Sequence, residues 1–366
     1  MSFLPSIAIL ALLIIVHELG HFAAARWQGI HVNRFSIGFG PVLWRYQGSQ
    51  TEYALRLFPL GGYVGFPDDD PDSSIPADDP NLMGNRPIRD RAIVVSAGVI
   101  ANLLLAYGAL LIMVVTVGVG TVDQPGVKIL SLISPDAPAA RAGLQAGDVV
   151  RSANGEVFTR DLEVLDRFQR LVASHGGAPL VLEVERPAAA TSQILTLTVI
   201  PEGEAGKGKI GVRLDYNGRP YRQPLRQPIA VLEQTNRAFQ RLLLTTLQGF
   251  RQLVTNFAAT AQQVAGPVAI VAMGSELARS DAASLFDFTA IISINLAILN
   301  ILPLPALDGG QLLFLAIEAL RGGKPLPSAW QEQVMQSGLV LLLGLGVVLI
   351  CRDSFNLWQT NFHSIQ

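Results

Sequence analysis

Val16-His17-Glu18-Leu19-Gly20-His21 stands near the end of an uncharged apolar run that opens at Phe3. In a helix, residues four apart lie one above the other, about 6 Å along the axis, so His17 and His21 can grip one divalent ion. Glu18 then sits beside the metal, placed to act as a general base, and the spacing is a fairly specific one for a metal site. The setting sharpens the reading. An ionisable residue in the centre of a membrane-length apolar segment costs about 2.5 kcal/mol or more and by default marks a functional site with a partner. The plainer alternative is a short buried helix of a soluble protein, its histidines satisfied by hydrogen bonds.

Working outward, half of the 366 residues are hydrophobic and only 15% are charged. With a mean hydropathy of +0.38, this describes a membrane protein carrying a modest soluble portion. A net charge of -2 argues against a nucleic-acid partner. The single cysteine, Cys351, excludes an internal disulfide and a cysteine-built zinc site, so a metal must be held by His and carboxylate. Residues 3–16 have the length of a signal-peptide core, but no Lys or Arg precedes them and the apolar run continues through the histidines. They are expected to remain as a span.

The first span is expected over 1–26, closing at Arg26 and Trp27. Residues 27–91 form a mixed loop. Its acidic tract, Asp68, Asp69, Asp70, Asp72, Asp78 and Asp79, is broken by prolines and reads as a solvated loop rather than a cation site. Thr51 to Phe58 alternates, and Pro59-Leu60-Gly61-Gly62-Tyr63-Val64-Gly65 supplies turn residues, which predicts a membrane-associated hairpin over about 51–66. Non-helical backbone near a membrane is tolerated where it is buried in protein or lines a wet cavity. Such a hairpin could hold an extended peptide by strand addition, with Gly61, Gly62 and Tyr63 as substrate contacts. An ordinary cytosolic hairpin fits the same residues.

A second span over 92–120 carries Gly98 and Asn102 on one face, for close helix packing first and substrate contact second. Arg86, Arg89 and Arg91 before it, and Arg26 after the first span, place loop 27–91 in the cytoplasm and the N-terminus outside. Residues 121–216 are expected to be soluble and β-rich: strands at Val127–Ile133, Asp148–Ala153, Leu180–Arg186 and Ile194–Pro201, an Asn154-Gly155 turn, and a helix at Asp161–Ala173. The segment Pro138 to Asp148, running on to Asn154-Gly155, resembles the PDZ family, which implies recognition of a peptide or chain end, with Gly208-Lys209-Ile210-Gly211-Val212 near the ligand groove.

Residues 217–283 read as an amphipathic helical segment, too charged to span. A third span, 284–310, ends as Asn300-Ile301-Leu302-Pro303-Leu304-Pro305-Ala306-Leu307-Asp308-Gly309, where two prolines interrupt the helix. Asp308 has two readings, a cap for the next helix or a metal ligand. Two histidines that still need a third protein ligand favour the second. Asn300 is placed to order a substrate backbone or a developing oxyanion. A cytoplasmic helix and loop, 311–333, a fourth span, 334–352, and a tail, 353–366, complete the chain.

His17-Glu18-Leu19-Gly20-His21, Gly98 with Asn102, the Pro59 to Val64 hairpin, the PDZ-like insert and the Asn300 to Gly309 stretch together resemble the site-2 protease family of intramembrane zinc metalloproteases. The likeness is greatest to the bacterial group that includes the regulator of sigma E protease, from which this chain departs in having one PDZ-like domain instead of two. The resemblance implies a polytopic α-helical membrane protein with about four spans and one Zn²⁺ per chain on His17, His21 and Asp308. It implies Glu18 as proton carrier and Asn300, Asn102, Gly61, Gly62 and Tyr63 as substrate contacts. Its substrates would be single-span, pre-cleaved membrane proteins such as anti-sigma factors or remnant signal peptides. The setting it implies is the lipid bilayer of a bacterial inner (plasma) membrane, with the N-terminus and PDZ-like domain extracytoplasmic. A non-catalytic PDZ scaffold and a zinc transporter are the competing classes.

Overall fold

The computed structural model describes residues 3–70, 73–188, 192–260 and 264–363. Asp72 of the acidic tract, residues 261–263 of the amphipathic segment and 364–366 of the tail lie outside them. The chain divides into a helical unit, residues 1–113 and 228–366, and a β-rich unit, 114–227.

In the helical unit, α1 (Leu4–Trp27) starts with Pro5 in its first turn and stops at Gly29, whose φ of +73° suits a residue without a side chain. The Ile30 N–H reaches the Ala25 carbonyl at 2.9 Å and the Gly29 N–H reaches Arg26 at 3.1 Å. This is a Schellman close, and it turns the fully buried Ile30 into a cluster with Ala25, Val32 and Val94. Two strands follow, β1 (Arg34–Gln47) and β2 (Glu52–Gly65), and then the long α2 (Ile88–Thr116).

The chain returns to this unit as α5 (Pro228–Thr255), α6 (Phe257–Thr260), α7 (Pro267–Ser280), α8 (Ala282–Ile301), α9 (Asp308–Leu320) and α10 (Ser328–His363). Among the described residues four helices are long and apolar enough to cross a membrane: Leu4–Trp27, Ile88–Thr116, Ala283–Ile301 and Ser328–Asn356. Many apolar side chains along α10, such as Val340 at 70% and Leu341 at 68% exposure, are left largely uncovered by protein. Asp353, near its far end, is buried and accepts the Ala269 N–H at 3.0 Å, capping the first turn of α7 from another helix.

The expected hairpin is corrected by the sheet. Residues 59–65 continue β2 instead of turning, and β2 pairs with β1, a strand that the sequence reading missed. Each strand bends into two arms. Phe35 lies opposite Tyr53 in parallel register and opposite Val64 in antiparallel register, while Trp44 lies opposite Leu55 and Tyr46 opposite Tyr53. The order across the sheet is therefore 62–65, 34–37, 52–56, 42–47, with 62–65 at one edge. Gly38 (φ +86°) and Gly40 (φ +85°) make the bend in β1, and a side chain at Gly38 would meet the Phe58 carbonyl at 2.6 Å. Two carboxylates of the acidic tract serve as backbone acceptors: Asp68 takes the Met83 and Gly84 N–H groups at 3.0 and 2.7 Å, and Asp79 the Asn81 N–H at 2.7 Å.

The β-rich unit contains β3 (Val119–Val122), β4 (Val127–Leu132), α3 (Pro138–Arg141), β5 (Val149–Ala153), β6 (Glu156–Val157), α4 (Val164–Ser174), β7 (Leu180–Arg186), β8 (Gln193–Val199), β9 (Val212–Tyr216) and β10 (Pro220–Gln223). The main sheet runs β8-β7-β5-β4-β9, with β6 paired to β5 across the Asn154-Gly155 turn, and β3 pairs separately with β10. All of these pairings are antiparallel. Its core is Val127, Ile129, Val150, Leu180, Leu182, Val184 and Val199 from the sheet against Val164, Phe168 and Val172, which recur every fourth residue on α4.

Candidate metal centre

The helical unit brings α1 and α2 close because their facing residues are small. A side chain at Gly20 would meet the Ala97 carbonyl at 2.5 Å, and one at Gly98 would meet His21 Nε2 at 2.3 Å. Gly98 is thus the hollow into which the two imidazoles fit. Val94, Gly98 and Asn102, spaced by four, line the α2 face towards them.

The His21 Nδ1–H donates to the Val94 carbonyl at 2.8 Å. A carbonyl only accepts, so the proton is on Nδ1 and the Nε2 lone pair is bare. His21 Nε2 lies 3.2 Å from His17 Nε2, and the two lie 3.5 and 3.3 Å from the same oxygen, Asp308 Oδ2. The donor atoms of His17, His21 and Asp308 all fall within 4.8 Å of one another.

Asp308 reaches this place through the prolines. Leu302, preceding Pro303, takes the extended conformation (ψ 141°) that ends α8. The Leu307 N–H then bonds the Leu304 carbonyl at 3.3 Å, with Pro305 and Ala306 between them and Ala306 at φ +69°. That is a type II pattern. Gly309 and Gly310 let α9 start against the end of α8: a side chain at Gly309 would meet the Leu302 carbonyl at 2.1 Å. Leu307 is the cap residue of α9 and Asp308 lies in its first turn without a capping bond, so the cap reading of Asp308 is not what the chain adopts.

The arrangement fits a metal. Asp308 Oδ2 is buried without a hydrogen-bond partner, which is costly for a carboxylate unless a cation shares the site. Two imidazole nitrogens and one carboxylate oxygen are the protein donor set of many catalytic zinc centres.

A cavity of about 250 Å³ opens beside these atoms, lined among others by Glu18, Gly61, Gly62, Asn300 and Asp308. Gly62, in the edge arm of β2, approaches so closely that a side chain there would lie 2.9 Å from Glu18 Cγ. Asn300 Nδ2 is 3.2 Å from His17 Nε2. Tyr63 does not line the cavity. Strand alternation turns it to the opposite face from Gly62, where its hydroxyl accepts from Arg56 Nη2 at 3.4 Å. Asn102 is fully buried and 3.3 Å from His17 Nδ1, with no lining position, so its contact is with a histidine and not with the cavity.

Sequence reasoning missed Val94, Ile14, Leu296, Ala306 and Leu307. A helical-face argument would have found Val94, four residues before Gly98, and Leu296, four before Asn300.

A histidine pair, a distant aspartate and a glutamate beside one cavity fit a metal-dependent hydrolase. The profile of Peptidase family M50 matches residues 5–345, and the chain belongs to that family. It is 56% identical to "Putative zinc metalloprotease all3971" of Nostoc sp. over 98% of this chain and 97% of that protein. It is also 44% identical to "Membrane metalloprotease ARASP, chloroplastic" of Arabidopsis thaliana, over 97% of this chain and 79% of that one.

Proposed function

We propose that this M50 peptidase is an intramembrane zinc metalloendopeptidase that cuts the membrane-spanning segment of single-span proteins already trimmed on one side. The observation that carries the reading is Glu18 and a three-donor cluster beside one cavity, with Glu18 and both histidines on α1, a helix long and apolar enough to cross a bilayer. The cofactor is zinc, as in the names of its relatives. His17, His21 and Asp308 would hold it. When bound, zinc polarises a scissile carbonyl and lowers the pKa of water towards about 7.

The remaining chemistry belongs to the chain. Glu18 takes a proton from the attacking water and delivers one to the leaving amine. Asn300 offers its amide to the oxygen on which charge develops. A helical substrate hides its peptide bonds, so it must unwind first. The edge arm 62–65, close to Glu18 at Gly62, pairs with 34–37 on one side and, among the described residues, with no strand on the other, where an unwound segment can add as a strand. Exposed apolar side chains of its sheet, Leu43 at 60%, Trp44 at 57% and Phe58 at 54%, suit burial in lipid. The β-rich unit is read as a PDZ-like domain for a peptide or chain end, outside the cytoplasm. Anti-sigma factors and remnant signal peptides are the substrate classes in view.

The test is cleavage of a tagged single-span substrate by the purified chain in detergent, wild type beside Glu18→Gln. The variant is expected to keep its zinc and to lose at least about 10²-fold in rate. Normal cleavage by Glu18→Gln would overturn the mechanism.

A further inference from the structure

His17 has an amide NH₂ at each ring nitrogen: Asn102 Nδ2 at 3.3 Å from Nδ1 and Asn300 Nδ2 at 3.2 Å from Nε2. A neutral imidazole carries one N–H and one acceptor, so it cannot accept from both. At least one amide must present its oxygen instead. Asn102 Oδ1 is buried without any partner, and its residue is fully buried between α1 and α8 residues. Amide oxygen and nitrogen have the same shape, so a half-turn of the Asn102 side chain puts Oδ1 against His17 Nδ1. As placed, Nδ2 faces His17 Nδ1 and Oδ1 has no partner; the two orientations differ in which amide atom faces His17, and a bare Nε2 towards Asp308 requires the oxygen there. The backbone position is held independently, by the Ser293 hydroxyl donating to the Asn102 carbonyl at 2.7 Å.

We infer that Asn102 is a positioning residue whose Oδ1 accepts the His17 Nδ1–H, fixing the tautomer that leaves Nε2 bare towards Asp308 and the metal. It thereby does for His17 what the Val94 carbonyl does for His21. Both ligands then have their outer nitrogen tied to an oxygen, the arrangement that orients a metal-binding imidazole and raises its basicity. The inference rests on the zinc reading of the site and replaces the expectation that Asn102 touches substrate.

The test is zinc affinity of the full chain in detergent, by chelator competition, for wild type, Asn102→Leu and Asn102→Asp. Leucine keeps the volume without an acceptor and is expected to weaken zinc binding about 10- to 100-fold. Aspartate restores the acceptor and is expected to bind within a few-fold of wild type. A purely structural role predicts the reverse order, since a carboxylate is worse than leucine in a dry helix interface; that order, or equal affinity in all three, overturns the inference. A second measurement needs no variant: ¹⁵N NMR of histidine-labelled, metal-free wild type should show His17 protonated on Nδ1, and protonation on Nε2 would refute it. A wild type that binds no zinc but shows the Nδ1–H tautomer would remove the zinc reading while leaving the hydrogen bond standing.

Discussion

Asp148 in the β-rich unit is 1% exposed and accepts from Arg186 through Nε at 2.8 Å and Nη2 at 2.7 Å, and from the Gln145 N–H at 2.9 Å. Asp308 in the helical unit has a largely buried carboxylate too, yet its Oδ2 has two imidazole nitrogens at 3.3 and 3.5 Å and no hydrogen-bond partner. The first aspartate is finished by the chain that contains it. The second is left open. A carboxylate satisfied by a guanidinium holds a fold together, whereas one held short of its donors stores an attraction for a cation.

The largest effects should come from exchanging the aspartates' fates. Asp308→Asn is expected to lower zinc affinity by more than about 100-fold, beyond what loss of an outer partner costs, while metal-free stability moves by less than about 1 kcal/mol because no donor loses its acceptor. Asp148→Ala should do the opposite. It strands Arg186 and the Gln145 N–H and is expected to destabilise the β-rich unit by about 3 kcal/mol with zinc binding unchanged. Hydrogen exchange in β5 and β7 together with chelator competition would read both. A chain in which Asp308→Asn unfolds the metal-free protein would break the contrast.

Glycines sharpen it next. Gly98→Ala places a methyl 2.3 Å from His21 Nε2 and should weaken zinc binding about tenfold or more. Gly143→Ala, at φ +86° with open space around it, should cost only about 1 kcal/mol of local stability and leave zinc alone.

The smallest effect is a pH dependence. The hydrogen bond from Arg151, and then one from Ser192, hold the Glu185 carboxyl below its usual range. The folded chain therefore binds its proton less readily than the unfolded chain. The stability this adds is present above the unfolded value of about 4.3 and is lost as pH falls through the lower folded one. At a quarter-exposed site it should amount to less than about 1 kcal/mol, and Arg151→Ala should remove the larger part of it in acid unfolding of the β-rich unit, leaving the part due to Ser192.

What the sequence determined by itself is what short-range geometry encodes. Helical spacing puts His17 and His21 on one face with Glu18 between them, and a short strand closed by an Asn-Gly turn gives β5 and its turn into β6. Prolines in Pro303-Leu304-Pro305 forecast the break that frees Asp308 from a helix interior. The mixed pairing of β1 with β2 was not legible, because Gly38, Gly40 and Pro41 read locally as turn residues and only the partner arms show that they bend a continuing strand. Nor was the role of Asn102. Gly98 with Asn102 fits ordinary helix packing, and it takes the crossing of α1 over α2 to bring the amide to His17 and the Val94 carbonyl to His21. Local periodicity fixes which face of a helix a residue occupies. Only tertiary structure decides what that face meets, since the contacts join residues far apart in the chain whose proximity no local spacing records.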